Sequence, residues 1–122
     1  MRLKTLLLTA AAAVLCSVSM AVWSATMRVI VVETDNVERY ATEVKRGMGI
    51  LKKIGSTGEV RILRSTFAGP ETGTIVVVVE YESLAAMGQD EAKIMGSAEY
   101  QTWLAGLSMI RKIVSDSIYQ EL

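Results

Sequence analysis

The sequence predicts an α+β domain in which one four-stranded antiparallel sheet carries its helices on a single face. Three observations point there. Short β-branched runs alternate with helix-period segments in the order β-α-β-β-α-β. The longest helical pattern is amphipathic, so it needs one apolar surface to lie on. The run "GTIVVVVEYE", Gly73 to Glu82, is apolar on both sides, as a strand buried on both faces would be.

The 122 residues suffice for one domain, and the first 25 stand apart from it. "MRLKT" is basic through Arg2 and Lys4, "LLLTAAAAVLCSV" is an apolar core, and "SMAVWSA" supplies small residues. This is the three-part layout of a secretory signal peptide, with cleavage acceptable after Ala21, Ser24 or Ala25. Thr9, Cys16, Ser17, Ser19 and Ser24 interrupt the run and argue against an uncleaved membrane anchor. Leu15 before Cys16 makes a poor lipid-attachment site. The expected domains are therefore a leader, residues 1–25, and a mature chain, residues 26–122, that is periplasmic or secreted and free of the membrane.

Within the mature chain "MRVIVVE", Met27 to Glu33, reads as the first strand. Val37, Ala41, Val44, Met48 and Leu51 then recur at helical spacing, with Asp35 as amino cap and Glu38 closing a capping box. Lys52, Lys53 and Gly55 mark the carboxyl end. "GEVRILRSTFAG" and "TGTIVVVVEYE" are two strands joined by a loop at Gly69-Pro70. Ser83 caps a helix through Leu84, Met87 and Met95 that stops at Gly96. Ser97 starts a second piece carrying Trp103, Leu107 and Ile110, and "RKIVSDSIYQEL" closes the chain as a strand of modest alternation.

This order is that of a ferredoxin-like fold. Ile75, Val77, Val79 and Tyr81 form the face beneath the helices, leaving Val76 and Val78 on the other side, as the apolar "VIVV" at Val29 to Val32 also requires. An uncovered apolar sheet face is a sticky patch, so the expectation is a homodimer joined sheet to sheet. The alternative is that a loop or terminal segment serves as cover.

Composition removes several functions. Two of the 13 basic residues belong to the leader, which leaves 11 against 13 acidic ones, a net charge near −2 and no basic face for nucleic acid. The mature chain has neither cysteine nor histidine, so it holds no disulfide, no Cys-x-x-Cys metal pair and no histidine-activated nucleophile. Valines stand where an RNA-binding sheet would place stacking rings. Met48, Met87, Met95 and Met109 read as core gap-fillers rather than copper ligands, and "GPETG" lacks the lysine of a phosphate loop. No metal and no cofactor is expected.

The remaining candidates are few. Glu80 shares a strand face with Val76, Val78 and Glu82, so it is a candidate base in the space between two sheets; the alternative is an ion pair with Arg61 or Arg64. Arg61, Arg64, Tyr100, Trp103 and Tyr119 are candidate ligand contacts. Trp103 belongs to the core stripe with Leu107, whereas Tyr100 lies off it and is the better cleft residue. Gly47 and Gly49 weaken the first helix; close approach of that helix to the sheet is the expected reason, and a loosened turn beside a pocket is the alternative.

The element order, the split helix "SLAAMGQDEAKIMGSAEYQTWL" after a strand ending "EYES", and the terminal "VSDSIYQEL" resemble the dimeric α/β-barrel superfamily. Within it the similarity is to NIPSNAP-like and antibiotic-biosynthesis-monooxygenase-like domains, and it covers Met27 to Leu122. Members of the superfamily include cofactor-free oxygenases, haem-handling enzymes, isomerases and domains with no known reaction. The haem-handling branches use a histidine ligand, which this chain lacks. The resemblance thus implies a homodimer and leaves three readings open. They are a binding or accessory module for a small apolar or amphipathic molecule, a cofactor-free monooxygenase or isomerase, and a structural dimer without ligand.

Overall fold

A computed structural model describes residues 24–122 of the chain; apart from Ser24 and Ala25, the expected leader lies outside the described residues. The elements run β1 (Thr26–Glu33), α1 (Val37–Lys53), β2 (Glu59–Arg64), a 3-10 turn (Gly69–Glu71), β3 (Ile75–Tyr81), α2 (Leu84–Met95), α3 (Ala98–Leu107) and β4 (Lys112–Gln120). The sheet order is β2-β3-β1-β4, antiparallel throughout. This is the ferredoxin-like topology, with the split second helix.

Register assigns the faces. Arg28, Ile30 and Val32 on β1 stand opposite Val79, Val77 and Ile75 on β3. These residues meet the helices: Val32, Ile75 and Val77 are buried with Tyr40, Val44, Ile50, Trp103 and Leu107 in one core cluster. Val76 and Val78 accordingly point away, next to Val31 and Val29. That second face is less open than the sequence suggests. Val31 and Val78, on the two central strands, are only 5% and 6% exposed. Met27, Val29 and Val76 are half-buried, and Leu63 and Tyr119 at the margins are exposed.

Helix α1 begins one residue later than expected. Asn36, not Asp35, is the amino cap, its side chain accepting from the Arg39 amide at 3.0 Å, and Glu38 closes no capping box among the described residues. The buried stripe also turns: Tyr40, Val44, Gly47 and Leu51, with Ile50, face the core, while Met48 slips to the edge. Of the four methionines expected inside, only Met87 is buried; Met48, Met95 and Met109 are exposed. Ser83 and Ser97 cap α2 and α3 as expected, accepting from Ala86 and Tyr100.

Two glycines are fixed by packing. A methyl group on Gly47 would overlap the Trp103 indole, so α1 closes on α3 rather than on the sheet. A methyl group on Gly58 would lie 2.9 Å from the Tyr81 ring. The loop holding Gly58 is tied down by Asp90 of α2, which is almost wholly buried. It accepts from the Ser56 hydroxyl and from the amides of Thr57 and Gly58, at 3.2 and 3.4 Å. A carboxylate out of water needs such donors, and these three supply them.

Candidate functional site

A cavity of about 420 Å³ lies between the sheet and the helices. Its floor is the helix-facing row of the sheet: Ile30 from β1, Val60 from β2, and Val77 and Val79 from β3. Its roof comes from α1 through Val44, Met48 and Leu51, from α2 through Ile94 and Met95, and from α3 through Tyr100, Trp103 and Leu104. Strand β4 adds Ile113 and Asp116. Strict alternation would send residues three apart to opposite faces. The β1–β4 register slips between Val31 and Val32, which leaves Val114 as an extra residue and brings both side chains to the helix side.

One end of this apolar chamber is charged. The Arg28 guanidinium lies against Asp116 in a bidentate pair, Nε donating to Oδ1 at 2.9 Å and Nη2 to Oδ2 at 2.7 Å. Its Nη1 reaches Glu91 of α2 at 3.4 Å. Hydrogen bonding from Arg28 holds the Asp116 carboxyl below its usual range, against the opposing effect of burial. Arg111, in the link between α3 and β4, donates to the hydroxyl of fully buried Tyr40 at 3.1 Å. The Thr34 hydroxyl, donating to the Ile110 carbonyl at 2.7 Å, pins the backbone beside it.

The aromatic corner is fixed as well. Trp103 Nε1 donates to the Glu43 carbonyl at 3.0 Å, and its ring meets Tyr100 at a centroid distance of 5.1 Å and a tilt of 53°. Burial raises the Tyr100 phenol above its ordinary range, so it is a donor at neutral pH.

The sequence candidates divide between the two faces. Tyr100 and Trp103 line the cavity. Arg61, Glu80 and Tyr119 belong to the opposite face, where Arg61 Nη2 and Glu80 Oε2 form the expected ion pair at 2.5 Å. Arg64 ends β2, exposed and outside the cavity lining. Glu82 falls beyond the end of β3. The charged residues of the cavity, Arg28, Glu91, Arg111 and Asp116, were not anticipated. Arg28 left one readable signal, since it shares strand parity with Ile30 and Val32 and is the single charge in that row. Asp116 left none, because the bulge exchanges its face.

No protein-family model matches the sequence, and no curated protein matches it either. Solved structures do match in shape. A NIPSNAP family protein of Agrobacterium tumefaciens superposes with a TM-score of 0.61 at 16% identity, over 81% of this chain and 90% of that one. SnoaB, a cofactor-independent oxygenase from Streptomyces nogalater, gives 0.60 at 8% identity, over 81% and 94%. A putative antibiotic biosynthesis monooxygenase of Bordetella bronchiseptica gives 0.54 at 13% identity, over 81% and 96%. The chain shares their fold. At such identities that is a statement about backbone path, which agrees with the resemblance read from the element order and carries no activity with it.

Proposed function

We propose that the protein binds a small, predominantly apolar molecule in the cavity between its sheet and its helices, as a carrier or accessory module. The observation that supports this most is the combination of a roughly 420 Å³ chamber with apolar walls and a charged end fixed by hydrogen bonds. Small-molecule sites have this composition, with an apolar body and a few polar groups that set orientation. The test is calorimetric titration with 1-naphthol, following Trp103 fluorescence in parallel. One site per chain is expected, lost in Val79→Phe, which fills the floor beside Arg28. Binding that survives Val79→Phe unchanged, or no binding at all, would count against the cavity as the site.

A cofactor-independent oxygenase is the second reading, favoured by the fold shared with the Streptomyces nogalater oxygenase. It requires a base beside the substrate. Asp116, held ionised by Arg28, is a weak one; Glu91 is the other carboxylate on the lining. Dioxygen uptake with a hydroquinone and no added cofactor separates the two readings.

We further propose that the chain is a homodimer joined through the sheet face that carries Met27, Val29, Val76, Leu63 and Tyr119. Support comes from the apolar character of that face; an interface of ordinary size buries about 800 Å² per partner.

A further inference from the structure

We propose that Arg111 and Tyr100 form a head-group subsite in this cavity, taking the anionic oxygen of an amphipathic carboxylate or phenolate whose apolar body lies on Val60, Val77 and Val79. The inference rests on the cavity reading above and adds the charge of the ligand to it. Two guanidinium groups reach the charged end, and they are in different states. Arg28 is occupied: both Asp116 oxygens face it and Glu91 takes its remaining nitrogen. Arg111 is not. Its hydrogen bond goes to the neutral Tyr40 hydroxyl, and among the described residues no carboxylate lies within 4.0 Å of it.

Tyr40 therefore orients Arg111 without neutralising it. Asp116 is close enough to feel the Arg111 charge, yet both its oxygens are spent on Arg28. Glu91 is 48% exposed, where water screens it from the interior. The lining carries two cations and two carboxylates, and both carboxylates are paired with Arg28. The Tyr100 hydroxyl lies within electrostatic range of Arg28, Arg111 and Glu91 and donates no hydrogen bond among the described residues. Arg111, a planar guanidinium with no carboxylate partner among the described residues, and Tyr100, a phenol that keeps its proton, line the same cavity and offer two donors to one anionic oxygen group.

The experiment compares 2-naphthoate with neutral 2-naphthamide, a close match in size, by calorimetry on the full chain. Naphthoate is expected to bind tighter by on the order of tenfold or more. Arg111→Gln should collapse that difference, and Arg111→Lys should retain it. Tyr100→Phe, which keeps the ring, is the second variant should Arg111→Gln fail to fold; it should weaken naphthoate several-fold. Equal binding of the two probes, or a preference that survives Arg111→Gln, overturns the head-group assignment and leaves the cavity reading standing. Failure of both probes to bind overturns the two together.

Discussion

Gly47 and Gly49 lie two residues apart on the same helix and should respond oppositely to the same substitution. Gly47→Ala drives a methyl group into the Trp103 ring, which the Glu43 carbonyl holds in place, and should cost about 1–3 kcal/mol. Gly49→Ala meets nothing within 4 Å on an exposed helix face and should stabilise by about 0.5–1 kcal/mol. Urea unfolding of the two variants checks both signs. From sequence the two residues look alike, since each is a glycine inside a helical pattern. Their difference is made by a side chain 56 positions away from Gly47, the Trp103 indole, and no local pattern carries that information.

At the scale of elements, the Arg28–Asp116 pair joins β1 to β4 on the helix side of the sheet. The folded Asp116 carboxyl is held below its ordinary value, so the pair's contribution is complete above the usual carboxylate range, near pH ~4. It is lost as pH falls through the lowered folded value. Arg28 stays charged throughout, its guanidinium held protonated chiefly by the hydrogen bond to Asp116. Asp116→Asn should therefore lower stability at neutral pH and flatten its decline below about pH 4, as measured by urea unfolding across that range. The third-exposed carboxylate keeps the effect modest. Element order, both serine caps and the split second helix were legible in the sequence, because they depend on neighbours within a turn or two. The cap of α1 and its buried stripe were not: Asp35 and Asn36 are equally good caps, and the local pattern does not choose between them.

For the whole molecule, the sheet-to-sheet dimer makes a direct prediction. Light scattering at micromolar concentration should give twice the chain mass. Leu63→Asp, at a position already 51% exposed in the single chain, should yield a folded monomer. A monomeric unsubstituted protein would remove the dimer, though not the cavity, which each chain builds from its own helices and sheet. Most of the site was hidden at this scale. Tyr100 was found because it lies off the core stripe of its helix, whereas Arg61, Glu80 and Tyr119 belong to the far side of the sheet.

By itself the sequence determined the layer architecture, the succession of elements and which row of β3 lies under the helices, for these follow from periods of two and of about 3.6 residues. Only the tertiary structure decided which charges share the chamber. A single extra residue in β4 turns Asp116 toward Arg28, and the α3–β4 link carries Arg111 to Tyr40. Both arrangements depend on register and on contacts between residues distant in the chain, and a one-residue shift in a strand reverses every side chain beyond it.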